Sequence, residues 1–241
     1  MDEKLNTDEI VYKKRGFLAW LDNFWYHYKW HSLIALFLVF TVTVCTLQMC
    51  DKESYDVQIL YAGSHAFSRQ SENADTPEYV KAKTSLSKFA RDYDGNGEVN
   101  ISFRDLFVPD SDKMSDLAES EYSRAYEDRT NLGTLMVSGD HYLCFLSGEV
   151  YENYKGTGRL MNLRAMYGEN SDIQYYDDTG EAILLSSTDF SSLSGFSELP
   201  EDTLICLRST NFSTHLNKKA NQKAHDRAKE TLDGILNYSV N

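Results

Sequence analysis

The stretch "DYDGNGEVN", residues 92–100, places oxygen-bearing side chains at alternate positions, Asp92, Asp94 and Asn96, and follows them with Gly97, Glu98 and Asn100. A hard cation such as calcium takes roughly six to eight oxygen ligands. A loop that wraps one supplies them at its first, third and fifth positions, turns sharply on a glycine at the sixth, offers a carbonyl at the seventh and a ligand, often through water, at the ninth. Asp92, Asp94, Asn96, Gly97, Glu98 and Asn100 fill those positions in order, with Val99 at the apolar eighth. The twelfth position, where a bidentate carboxylate belongs, is Phe103. Asp, Asn and Gly also favour tight turns without any metal. Two expectations therefore stand side by side: a calcium loop that lacks its last ligand, and a plain turn.

Other chemistry-bearing patterns are sparse. The chain has no G-x-S-x-G elbow, no P-loop and no H-E-x-x-H. The serine cluster "SSTDFSSLSGFS" reads as a solvated loop rather than a nucleophile site, and His65, His141, His215 and His225 lack metal-ligand spacing. "YAGSHAFS" reads as a glycine-containing turn after a strand, a place where α/β sheets often hold ligands. Cys144 and Cys206 each lie in an apolar run, "YLCFLS" and "TLICLR", which predicts two buried free thiols and no zinc site. With no catalytic set to assemble, a binding or interaction module is expected rather than an enzyme.

The elements that must carry these residues begin with an anchor. Residues 32–50 contain no formal charge, and 33–44 are almost all Leu, Ile, Val, Phe and Ala, close to the roughly 20 residues that cross a bilayer. About thirty residues precede that run and no A-x-A site follows it, so a retained single-pass helix is expected rather than a cleaved signal. Cys45 and Cys50 lack the small preceding residue of a lipoprotein signal and read as ordinary thiols. Lys13, Lys14, Arg15 and Lys29 lie before the span and only Lys52 close behind it, which predicts an inside amino terminus and an extracellular carboxyl-terminal domain. The rings of Trp20, Trp25, Tyr26, Tyr28 and Trp30 suit the headgroup layer, on a surface-lying helix or as the first turns of one long helix. The organisation read from the sequence is 1–30 cytoplasmic and interfacial, 31–50 transmembrane and 51–241 extracytoplasmic.

The net charge of −13 falls wholly on residues 51–241, which argues against a nucleic-acid partner and suits solubility or cation binding. Along this part strand and helix alternate. Strands are predicted at 55–63, 98–108, 141–147 and 203–208, and helices at 78–91, 113–137, 149–154 and from 217 onward. "LMNL" reads as a brief extended piece, and "DDTG" as the turn of a hairpin between "DIQYY" and "EAILLSS". The long 113–137 helix is expected to turn Leu117, Ala118, Tyr122, Ala125, Leu132 and Leu135 inward. Such alternation predicts an α/β layered domain.

Two resemblances accompany these patterns. "SGDHYLCFLSGEVYENYKGTGRLMNL" followed by "YYDDTGEAILLSS" resembles a segment of type 2 extracytoplasmic solute-binding proteins, which implies a domain similar to one solute-binding lobe and a small-ligand partner. "LDNFWYHYKWH" ahead of one span resembles small signal-anchored proteins of Gram-positive anaerobes. The loop at Asp92 resembles the front of a dockerin or EF-hand loop. In the helix, loop, strand version that some extracytoplasmic binding proteins carry, the last carboxylate comes from a distant part of the chain. The alternative expectation is a structural subunit of a larger membrane complex, docked through the aromatic segment and span.

Overall fold

The structure is a computed structural model that describes residues 16–50, 55–67, 76–138, 140–169, 173–210 and 218–240. The chain divides into two compact units, Met1–Glu53 and Ser54–Asn241.

The described residues of the first unit form the helix α1 (Phe17–Cys50), of 34 residues. At about 1.5 Å per residue this is roughly 50 Å, longer than the ~30 Å hydrocarbon core. Residues Asn23–Thr46 form the stretch long and apolar enough to cross a membrane, and none of it is buried within the protein. The aromatic segment and the apolar run are therefore one continuous helix. Phe17, Trp20, Phe24 and Tyr28 stack in sequence along one face, with ring centroids 5.9, 5.5 and 5.4 Å apart. Thr41, Thr43 and Thr46 donate their hydroxyls to the carbonyls four residues earlier. Lys13, Lys14 and Arg15 lie outside the described residues.

The second unit is a three-layer α/β arrangement. Its strands are β1 (Val57–Gly63), β2 (Ile101–Phe107), β3 (Leu143–Leu146), β4 (Ala182–Leu184) and β5 (Leu204–Leu207), in the spatial order β2-β1-β3-β5-β4. β2, β1 and β3 are parallel, β5 runs antiparallel to β3, and β4 antiparallel to β5. Alternate residues feed two cores, as period-two geometry requires. Ile59, Tyr61, Leu143, Phe145, Ile205 and Leu207 face one, and Leu60, Ala62, Cys144, Leu146, Leu204 and Cys206 face the other. β3 and β5 read as unbroken apolar runs because both their faces are covered.

Helices α2 (Pro77–Ser87) and α6 (Lys218–Leu236) supply Ala82, Leu86, Ala228, Leu232 and Ile235 to the first core. Helices α3 (Glu119–Ser138) and α4 (Gly148–Glu152) supply Leu132, Met136, Val150 and Tyr151 to the second. α2 starts where its chemistry directs: Thr76 accepts from the Tyr79 amide and Pro77 occupies the first turn, where its missing N–H costs nothing.

Several sequence expectations shift. α3 begins at Glu119, because residues 114–116 form a 3₁₀ turn and Leu117 and Ala118 lie outside the helix. Tyr122 is 49% exposed, and the inward stripe is Ala125, Leu132 and Met136. α2 ends at Ser87, four residues short of Arg91, and Leu163 opens a further short helix, α5 (Leu163–Tyr167), capped by Asn162. The hairpin around "DDTG" shrinks to the bridge Tyr175–Ile183 beside β4. Leu216 lies outside the described residues.

Two titratable groups, the buried His141 and the partly exposed Asp177, give the domain an acid limit. Among the described residues neither ring nitrogen of His141 has a hydrogen-bond partner, and burial, aided by the charges of Arg208 and Arg104, pushes its pKa down to about 4. Asp177 is opposed by its own burial, yet hydrogen bonds from Thr179, Lys155 and Tyr151 hold it at about 2. Both folded values lie below the unfolded ones, so each group stabilises the fold above its unfolded pKa and that contribution is lost as pH falls through the folded pKa. The expected result is a loss of about 3 kcal/mol from His141 between pH 6.5 and 4, followed by a smaller loss, about 1 kcal/mol once solvent screening of the partly exposed Asp177 is counted, between pH 3.8 and 2. Urea midpoints measured across that range check it. In His141→Gln the upper step should vanish while the lower one remains.

Candidate metal centre

The loop at residues 92–100 joins α2 to β2 at the amino-terminal edge of the β1–β2 pair. Asp56 stands immediately before β1, and its backbone N–H donates to the Asn100 carbonyl at 2.8 Å, extending the parallel pairing by one step. Its side chain is almost wholly buried, 3% exposed. One carboxylate oxygen accepts from the Tyr93 amide at 2.7 Å and the other from the Asn100 amide at 2.9 Å. A single buried carboxylate therefore clasps both ends of the loop. Arg227 of α6 closes it from outside, stacking over the Tyr93 ring at 4.6 Å and donating to the Asp56 carbonyl at 3.2 Å.

Inside the loop the side chains organise the backbone. Asp92 accepts from the amides of Gly95 at 2.6 Å and Gly97 at 2.8 Å. Both glycines have positive φ, 77° and 90°, which lets their N–H groups point back at one carboxylate. The Gly97 amide, helped by that of Gly95, holds the Asp92 carboxyl below the usual carboxylate range against an opposing desolvation. Asp94 accepts from the Asn96 amide at 3.0 Å and from its side-chain nitrogen at 3.2 Å, and Asn96 Oδ1 accepts from the Glu98 amide at 2.7 Å.

Of the residues the spacing singled out, Asp92 and Asp94 are brought together, and Asp56 joins them. One carboxylate oxygen from each of the three lies within 4.8 Å of the others. The carboxylate of Glu98 is not part of this cluster, consistent with a seventh position that offers its carbonyl. Asn96 and Asn100 flank the cluster through the hydrogen bonds given above. Asp56 was invisible to spacing, since it lies far upstream in "SYDVQIL" and reads there as the polar start of a strand. The only hint in the sequence is a lone acidic residue at the mouth of a buried strand.

Chemically the cluster is all oxygen, three carboxylates with lone pairs left after their N–H bonds, which fits a hard divalent cation and not a soft one. Beside it, the outer face of α2 and the start of β2 enclose an open groove of about 300 Å³ lined by Val80, Lys83, Thr84, Ser87, Val99 and Ile101.

The remaining flagged residues are accounted for structurally. At the far end of β1, Gly63 lies against Tyr61, whose hydroxyl would sit 2.6 Å from a Cβ there and which accepts from the His65 amide at 3.1 Å. In the serine cluster, Ser187, Ser191 and Ser192 give their hydroxyls to carbonyls three residues back, while Phe190 and Phe196 are buried. His225 is buried against Tyr142, and His215 lies outside the described residues. Cys144 and Cys206 are free and buried. No family model, curated protein or solved structure matches the chain.

Proposed function

We propose that the chain is a single-pass membrane protein that presents its α/β domain outside the membrane as a binding or interaction module, in the manner of a solute-binding lobe on a signal anchor. The observation that carries this is α1: its 24 most apolar residues are wholly unburied in the protein and carry one charge, Lys29, at their inner end. Leaving that area in water would be severely unfavourable, and lipid is the medium that covers it. The excess of Lys and Arg ahead of the span favours an inside amino terminus. Protease added to intact cells should then remove the domain after Asp51 and spare residues 1–30. A domain digested only after lysis would place it inside and refute the topology.

The module's ligand chemistry includes calcium. Support comes from the order of oxygens in Asp92, Asp94 and Asn96 and from Asp56, whose carboxylate oxygen lies within 4.8 Å of those of Asp92 and Asp94 and would stand in for the missing twelfth-position carboxylate. With Glu98 supplying its carbonyl and Asn100 a ninth-position ligand, binding would pin the end of α2 to the start of β2. The expected affinity is weak, roughly 10⁻⁴ to 10⁻³ M, as in extracellular modules. At a hundredfold excess over Kd the folded form gains about 2.7 kcal/mol. The full chain in detergent should therefore melt higher with calcium in such excess than with chelator, and Asp92→Ala should abolish the difference. A melting temperature indifferent to calcium in the parent would leave only the turn.

The second reading, a subunit of a larger membrane complex, draws on the exposed ladder of Phe17, Trp20, Phe24 and Tyr28. A companion that stays bound through purification in mild detergent would favour it over the free module.

A further inference from the structure

β3 and β5 run antiparallel with Cys144 directly opposite Cys206. Just beyond the strands, two residues before Cys144 and two after Cys206, the Arg208 amide donates to the Tyr142 carbonyl at 2.8 Å. Hydrogen-bonded and non-hydrogen-bonded pairs alternate in such a ladder, so the cysteine pair is of the same hydrogen-bonded kind, with Cα atoms about 5.5 Å apart. A disulfide spans Cα separations of roughly 4.4 to 6.8 Å but needs Cβ atoms about 3.5 to 4.5 Å apart, against about 5.5 Å at a hydrogen-bonded pair, so closure draws the two side chains together by about 1 Å as the sheet forms. Both side chains also project to one face of the sheet, into the core formed with Leu60, Leu146 and Leu204. Opposite register, common face and compatible span occur here at a pair the fold does not otherwise use.

We propose that Cys144 and Cys206 are a latent cross-strand disulfide, closed by thiol–disulfide exchange with a small-molecule disulfide while β3 and β5 are coming together. One cysteine thiolate attacks a sulfur of glutathione disulfide and expels one glutathione thiolate, leaving a mixed disulfide. The second cysteine thiolate attacks the protein sulfur of that bond and expels the other glutathione. Two protein thiols are oxidised, one glutathione disulfide is reduced to two glutathiones, and the two cysteine protons leave to the released thiolates.

The timing follows from burial. Neither cysteine has measurable exposure, and burial pushes Cys144 up to about 12 and Cys206 well above the ordinary thiol range. A native thiol that is neither exposed nor ionised does not attack. The Cys144 S–H also leans on the carbonyls of His141 and Tyr142, at 3.7 and 3.8 Å, and must rotate away to reach its partner. The redox state is therefore set as the sheet forms and then held, and the bridge would tie the parallel half of the sheet to its antiparallel half.

The test uses the full chain carrying Cys45→Ser and Cys50→Ser, refolded into detergent with glutathione disulfide or with dithiothreitol, then denatured, alkylated and mapped by mass spectrometry. With the disulfide present, the peptides bearing Cys144 and Cys206 should appear joined and unalkylated, and the urea midpoint should exceed that of the reduced chain. Recovery of the native circular dichroism with both thiols alkylated would overturn the proposal, as would a bridge between two copies. If refolding is incomplete, the same mapping is applied to chain synthesised cell-free in detergent under the two conditions, with the same two results deciding.

Discussion

Asp56→Ala should destabilise the domain by about 3 kcal/mol in chelator, before any contribution of calcium. The carboxylate accepts two backbone amides, from Tyr93 and Asn100, and is 3% exposed. Hydrogen bonds to a charged group contribute about 1.5 to 3 kcal/mol each, and removing the acceptor leaves two amides without it. Asp56→Asn keeps the shape and one good acceptor but can satisfy only one amide, since its nitrogen is a donor. It should lose roughly half as much. Urea unfolding of the two variants in chelator measures the clasp alone, and repeating it in calcium measures any contribution of the ion. A loss under 1 kcal/mol for Asp56→Ala would mean that the loop ends are held by the β1–β2 pairing and not by this side chain.

Gly195→Ala should cost more, on the order of 2 to 5 kcal/mol from backbone strain and overpacking together. Gly195 has φ +91°, and a Cβ built there meets the Ala82 backbone, Cα and N alike, at 2.6 Å. The obstacle is the helix itself and cannot rotate aside. The serine-rich segment passes flush over α2 at this point, with Ser85 Oγ donating to the Ser194 carbonyl at 2.8 Å, and this contact seats Phe190 and Phe196 in the core. Gly156→Ala is the matched control: it too has positive φ, +67°, but nothing lies within 4 Å of its Cβ. It should lose only the strain, about 1 kcal/mol. Equal losses at the two glycines would show that the close approach to Ala82 relaxes without cost.

What the sequence determined by itself is whatever depends on neighbours along the chain. A charge-free run after an aromatic belt specifies α1, because helix length and hydropathy are local sums. Thr76 and Pro77 specify the start of α2, because capping acts within one turn. "YDVQILYAG" and "TLICLR" specify buried strands, and the order of oxygens in 92–100 specifies a loop that folds its amides onto Asp92. The 3.6-residue period misled at α3, where Tyr122 fits the stripe yet faces solvent, because one helix face contacts the sheet over a narrower arc than periodicity implies. Tertiary structure alone decided the sheet order, with β1 central between β2 and β3, since pairing of strands far apart in sequence depends on crossovers and not on local preference. It decided that Asp56 reaches Asp92 and Asp94, and that Cys144 faces Cys206, because each meeting requires a register fixed only when the whole sheet closes.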